Sequence, residues 1–305
     1  MQDQYLAHEG RASDATRSIA NPDNQMPLPF AQAEAYALQV MTWAHELPTA
    51  GLDVRLGIPY GSHPLHRYDV FGSENASNAP ILVFWHGGGW TNGYRGYVSF
   101  MAALVAKLGC ILVAPSYRLA PQDKLPAAYE DGLAALRHVH ENAGMFGGNS
   151  QCIFLAGHSA GGHLAALIAL RSADMQKAGI PQQAIRACLP ISGIMDLHHP
   201  TPEAGSLEQR VYTMVLNTAD DDVAMSPIHW SQDSRVPMHL SYGELDSERV
   251  QRSNQVLAQQ LSQAGTPCSL TVEPGLDHFA THTTLSTPQA AWYQRLKNVL
   301  EVNAV

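Results

Sequence analysis

The stretch Leu155-Ala156-Gly157-His158-Ser159-Ala160-Gly161-Gly162-His163 constrains this chain more than any other. It reads G-x-S-x-G, after the apolar run Cys152-Ile153-Phe154-Leu155-Ala156 and before an apolar-periodic run from Leu164 to Leu170. That context predicts strand, sharp turn and helix. A serine at such a strained turn needs small neighbours, because a bulky side chain would collide with the strand or the helix. The arrangement presents Ser159 Oγ at a helix N-terminus as a candidate nucleophile. The alternative is a plain strand-to-helix turn.

A second motif precedes it. The strand candidate Ile81-Leu82-Val83-Phe84-Trp85 runs directly into His86-Gly87-Gly88-Gly89-Trp90. Acyl transfer passes through a tetrahedral oxyanion, which backbone N–H groups must meet, and glycines let the backbone approach it. Gly88 and Gly89 are the candidate donors, with Ala160, the residue after the serine, as the third. The partners of a serine nucleophile follow it in the order acid, then histidine. Asp246 lies in Gly243-Glu244-Leu245-Asp246-Ser247, after the strand candidate 236–242. His278 lies in Glu273-Pro274-Gly275-Leu276-Asp277-His278-Phe279, after 268–272. Both loops sit beyond the carboxyl ends of strands, where open α/β sheets place ligands. Asp246 is also a natural cap for the amphipathic helix that follows. Glu244 is a rival acid, His282 is a rival base, and Asp277 reads as a loop former. His86, His158 and His163 read as structural. His198-His199 lacks accompanying carboxylate or cysteine spacing, so no metal site is expected.

Along the chain, strands are expected near 81–86, 110–115, 152–156, 187–192, 237–242 and 268–272. Helices are expected near 96–108, 126–142, 160–173, 248–264 and 287–301. The alternation implies an α/β fold with a mostly parallel central sheet and helices on both faces. Residues 52–58 and 66–71 read as an antiparallel hairpin, and 31–47 as a helix within an N-terminal segment, 1–50. Residues 51–305 form the expected catalytic domain. Within it, 196–230 is either a small cap insertion or an ordinary long crossover.

With 305 residues and a net charge of −9, the chain carries no basic cluster, which argues against a nucleic-acid partner. No apolar run approaches the roughly 20 residues of a membrane span. The start shows no basic segment followed by an apolar core. Cys110, Cys152, Cys188 and Cys268 all read as small buried hydrophobes rather than a disulfide framework. A cytoplasmic location is expected, and the oligomeric state is left open.

The chain resembles an α/β-hydrolase of the arylformamidase (kynurenine formamidase) type, related to the hormone-sensitive-lipase-like esterases. The esterase-like features are His86 to Trp90, Tyr117-Arg118-Leu119-Ala120-Pro121, Pro126-Ala127-Ala128 and Gly157 to Gly162. The acid loop Gly243 to Glu248 with Gln251-Arg252-Ser253, together with Ser192 to Leu197, Met225 to Ile228 and Asp277-His278-Phe279, favours the formamidase branch. Gly89 departs from that branch, which often carries a larger residue there, and so does Ala280-Thr281-His282. The resemblance covers roughly residues 50 to 300. It implies the triad Ser159, Asp246 and His278, the oxyanion hole, and hydrolysis without a cofactor of a small-molecule aryl amide or ester. A general carboxylesterase for short-chain or aromatic esters is the alternative, and a non-catalytic ligand receptor on the same fold is the remote one. Trp90, Tyr94 and Phe279 are candidate pocket walls, since aromatic rings suit an aryl substrate.

Overall fold

The computed structural model describes residues 25–303. The N-terminal segment expected over 1–50 therefore lies partly outside the described residues. Within them, helix α1 spans Ala31–His45, and a hairpin of β1 (Leu52–Pro59) and β2 (Arg67–Ser73) follows. The hairpin is antiparallel with a register shift between Arg55 and Ile58, where Gly57 takes φ +66°. Strands β3 (Ala79–Trp85), β4 (Ile111–Pro115), β5 (Gly148–His158), β6 (Ile185–Ile191), β7 (Met238–Gly243) and β8 (Cys268–Glu273) complete one eight-stranded sheet. Its order is β1-β2-β4-β3-β5-β6-β7-β8, and every pairing from β4 to β8 is parallel. The mostly parallel sheet expected from the alternating pattern is what forms.

Besides α1, the α-helices of more than one turn among the described residues are α2 (Ala102–Lys107), α3 (Ala127–Asn142), α4 (Ala160–Leu170), α5 (Ser172–Lys177), α6 (Glu248–Gln263) and α7 (Ala291–Val302). Strand residues alternate between faces, so a sheet covered on both sides buries every position. Ile81, Val83, Ile153 and Leu155 pack on one face with α3, α4 and α6. Leu82, Phe84, Phe154 and Ala156 pack on the other with α2 and α7. Some boundaries differ from the sequence reading. The helix expected over 96–108 begins as a 3₁₀ segment, Arg95–Met101, before α2. The helix expected to reach 173 stops at Leu170 and restarts at Ser172. Cys268 is only half-buried, because β8 is the last strand and has no neighbour beyond it. None of the described helices is long and apolar enough to cross a membrane.

Strand order reverses at β3, which pairs with β4 on one side and β5 on the other, leaving a crevice at their carboxyl ends. Trp85 is level with Gly157, His158 with Ile191, and Gly243 with Glu273. The loops that leave these strands therefore emerge at one edge of the sheet.

Four histidines are sealed at or near that edge. His86 lies over Tyr117, rings parallel at 4.3 Å, and its Nδ1–H donates to Gly87 O at 2.7 Å. His158 donates from Nε2 to His278 O at 2.8 Å, and His163 from Nε2 to Met225 O at 2.6 Å. In each ring the other nitrogen is buried without a partner, so a second proton there would sit in a dry interior with no acceptor. His282 accepts from Tyr36 Oη at 2.8 Å and stacks on His158. Burial pulls His86 and His163 down to about 4 and His282 to about 3, and holds His158 well below its ordinary value. Below about pH 6.5 the unfolded chain binds protons that the folded chain refuses, so stability is complete above that pH and is lost as pH falls toward 4. Each histidine contributes a loss of up to about 1.4 kcal/mol per pH unit. Urea unfolding at pH 7, 6 and 5 should therefore show a falling midpoint with little change in slope. Equal stability at pH 7 and pH 5 would contradict the neutral assignment.

Candidate active site

Strand β5 ends at His158 and α4 begins at Ala160, so Ser159 alone makes the turn. It does so at φ 55°, ψ −120°, a conformation rarely adopted by a residue with a side chain. The fit around it explains the flanking glycines. A Cβ at Gly161 would lie 2.0 Å from Trp85 O, and one at Gly157 would lie 2.3 Å from Gly161 O. Ser159 N–H donates to Ile191 O at 2.9 Å, which ties the turn to β6.

Ser159 Oγ lies 2.8 Å from His278 Nε2, and His278 Nδ1 lies 2.6 Å from Asp246 Oδ1. The structure thus brings together the three residues that the motif order singled out. The proton positions follow from the network around them. Asp246 Oδ2 accepts from Ser192 Oγ at 2.6 Å and from Gly243 N–H at 2.9 Å. The side chain of Asp246 is shut off from solvent, which leaves Oδ1 to take the proton on His278 Nδ1. Nε2 is then free to accept from Ser159. The His278 carbonyl is fixed separately, by His158 Nε2–H and by Thr281 Oγ1 at 2.7 Å.

Ser192 and Thr281 were not singled out by the sequence. Ser192 sits just past β6 at φ 50°, and this conformation turns its hydroxyl toward Asp246. A positive φ is not legible in a lone serine. The rivals fall elsewhere. Glu244 is exposed and accepts from Gly275 N–H. Asp277 Oδ1 accepts from Phe279 and Ala280 N–H, and so starts the helical turn Ala280–Thr283. The cap of α6 is Ser247, not Asp246, because Ser247 Oγ accepts from Val250 N–H. His198 pairs with Asp222, and among the described residues no group of side chains could hold a metal.

The glycine loop packs directly on the serine turn. A Cβ at Gly87 would lie 3.3 Å from Ser159 Cβ, and one at Gly88 only 2.1 Å from Asn92 O. Gly88 adopts φ 125° and Gly89 φ 60°. The Gly88 carbonyl closes the loop by accepting from Thr91 and Asn92 N–H. The N–H groups of Gly88 and Gly89 have no acceptor among the described residues. Ala160 N–H opens a helix, where the first amides lack intrahelical partners.

The three aromatic candidates differ in setting. Trp90 is 2% exposed and packs edge-on against His163 at 5.0 Å. Tyr94 is equally buried, against Tyr97. Phe279 is half-buried beside His278, and Tyr36 of α1 and Phe30 lie against it. The segment before α1 also reaches the glycine loop, through Gln25 with Gly93 and Asn92 Nδ2 with Met26 O. Arg210 reaches Thr91 and Leu125 N–H donates to Val215 O, so part of 196–230 borders both the glycine loop and the loop 119–126.

A family model described as alpha/beta hydrolase fold matches residues 82–282. Carboxylesterase NlhH of Mycobacterium tuberculosis is 30% identical over 229 residues, 70% of each chain. Probable carboxylesterase 6 of Arabidopsis thaliana is 41% identical over 108 residues, 33% of this chain and 32% of that one. Among solved structures, an esterase of Pyrobaculum calidifontis superposes with a TM-score of 0.74 at 21% identity, covering 90% of this chain and 92% of the other, which supports the shared fold. Taken with the geometry of the serine turn, these matches show that the chain belongs to the alpha/beta hydrolase fold family and is a serine hydrolase.

Proposed function

We propose that this protein is a carboxylesterase that cleaves small-acyl esters of aromatic or otherwise compact alcohols through an acyl-enzyme on Ser159. The observation that carries the reading is the continuous hydrogen-bonded chain from Ser159 through His278 to a buried, doubly bonded Asp246. His278 Nε2 takes the Ser159 proton as Oγ attacks the acyl carbon. The carbonyl oxygen becomes an oxyanion held by Gly88, Gly89 and Ala160 N–H. His278 then returns the proton to the departing alkoxide as its bond to the acyl carbon breaks. A water repeats the sequence on the acyl-enzyme and releases the acid and Ser159. Asp246 keeps the imidazole in the required tautomer and stabilises its charged form. No step calls for a cofactor.

The relatives named above are esterases, which favours an ester over the aryl formamide suggested by the acid loop. Phe279, with Tyr36 and Phe30 against it, is the proposed aromatic wall on the His278 side. Tyr94 belongs to the cluster that Phe279 packs on and supports this wall from within the fold, whereas Trp90 packs against His163. Residues 196–230 act as a small cap in this reading, supported by their contacts with the loops 90–93 and 119–126.

Ser159→Ala should remain folded and lose roughly 10⁴-fold or more in kcat. Asp246→Asn should lose about 10⁴-fold, since the amide favours the wrong imidazole tautomer. Steady-state hydrolysis of p-nitrophenyl butyrate by purified variants checks both. Wild-type turnover by Ser159→Ala would exclude the assignment. An acyl series from acetyl to dodecanoyl on p-nitrophenol, with N-formylkynurenine alongside, tests the substrate. Expected is a kcat/KM maximum at or below butyryl and a much lower value for the formamide. A rate climbing to dodecanoyl would contradict the small acyl site, and a preference for N-formylkynurenine would restore the formamidase reading.

A further inference from the structure

Arg210 closes a helical turn, Leu207–Arg210, and is followed at once by the π-turn Val211–Val215. Single π-turns recur at functional sites, because the extra residue re-aims the side chains around it. Arg210 is half-buried, and the hydrogen bond it shows is to Thr91 Oγ1 at 3.2 Å. Thr91 is two residues beyond Gly89. Its hydroxyl proton goes to Asn92 Oδ1 at 2.7 Å, so its oxygen can accept from Arg210.

Most of the other half-buried or buried arginines are matched with acids, among them Arg95 with Asp69, while Arg67 and Arg186 donate to backbone carbonyls. Arg118 meets Asp131, Asp123 and Glu130; Arg171 meets Asp174; Arg249 meets Glu208; and Arg295 meets Glu273. Arg210 has no carboxylate within ion-pair distance among the described residues, although the chain carries a net charge of −9. A guanidinium offers five N–H donors, and a single neutral hydroxyl meets only part of that capacity. The same stretch of loop holds further donors without acceptors. They are the N–H groups of Gly88 and Gly89, assigned above to the oxyanion. An excess of donors in a partly desolvated setting is matched by a ligand rich in acceptors.

We propose that Arg210 is a specificity-determining residue that pairs with an anionic group on the substrate, so that the preferred esters carry a carboxylate besides the scissile bond. The inference rests on the carboxylesterase reading. It adds to that reading the chemical class of the ester. A partly buried guanidinium is screened less than a surface one, and its planar fork binds a carboxylate through two parallel hydrogen bonds.

The test uses two matched pairs of esters on the full chain. One pair carries the charge on the acyl side, p-nitrophenyl hydrogen succinate against p-nitrophenyl valerate. The other carries it on the alcohol side, 4-carboxyphenyl butyrate against 4-(methoxycarbonyl)phenyl butyrate. In at least one pair the anionic ester should have about tenfold higher kcat/KM, mainly through KM. Arg210→Met should bring that ratio to one or below, and Arg210→Lys should keep part of it. Each ratio is taken within one variant, so a general loss of activity cancels. A neutral ester preferred in both pairs, or a ratio unchanged in Arg210→Met, overturns the assignment. Failure of the wild type to hydrolyse any of the four esters would instead count against the carboxylesterase reading itself.

Discussion

Everything at this site depends on the single-residue turn at Ser159. A side-chain-bearing residue at φ 55°, ψ −120° costs on the order of 1–3 kcal/mol and persists only when its surroundings over-determine it. Here they do. Strand β5 is hydrogen-bonded on both sides, Ser159 N–H is tied to Ile191 O, and α4 lies so close to the ends of β3 and β5 that only glycine fits at Gly157 and Gly161. The turn is a consequence of sheet and helix packing. It sets the serine hydroxyl where the carboxyl ends of β3, β5 and β6 lie within one residue of one another.

A second level of the structure holds the partners of that hydroxyl. Asp246 is anchored by Ser192 and by the Gly243 amide, and the His278 backbone by His158 and Thr281. Each anchor leaves a different element: the end of β6, the end of β7, the end of β5 and the helical turn after His278. A reactive geometry supported from several rigid elements tolerates little drift. The neutral histidines contribute by being uncharged. His158 donates one hydrogen bond and stacks on His282, which in turn is held by Tyr36 of α1. The first described helix is thereby connected to the loop that carries His278.

Much of this is legible in the sequence, for identifiable reasons. The serine turn and the glycine loop announce themselves because steric demands at both leave glycine as the only solution, and glycine patterns survive as motifs. Asp246 and His278 are found from chain order and from their position after strands. Ser192, Thr281 and Arg210 are not, because serine, threonine and arginine occupy countless ordinary positions, and their roles come from contacts across 54, 89 and 119 residues of sequence. Trp90 and Tyr94 show the converse. Their place beside the motif suggests cleft walls, yet both rings are packed inside, against His163 and Tyr97. The acid loop suggested a formamidase, whereas the relatives are esterases, since one fold serves many substrates and pocket shape is spread over distant residues.

The strained turn presents Ser159 to His278, and this one serine is thereby activated as a nucleophile. This activation is tested most directly by treating the folded protein with a serine-directed fluorophosphonate and locating the adduct by peptide mass spectrometry. One adduct per chain is expected, on the peptide containing Ser159, with none formed after denaturation. Labelling of another serine in preference to Ser159, or equal labelling of the denatured chain, would contradict it.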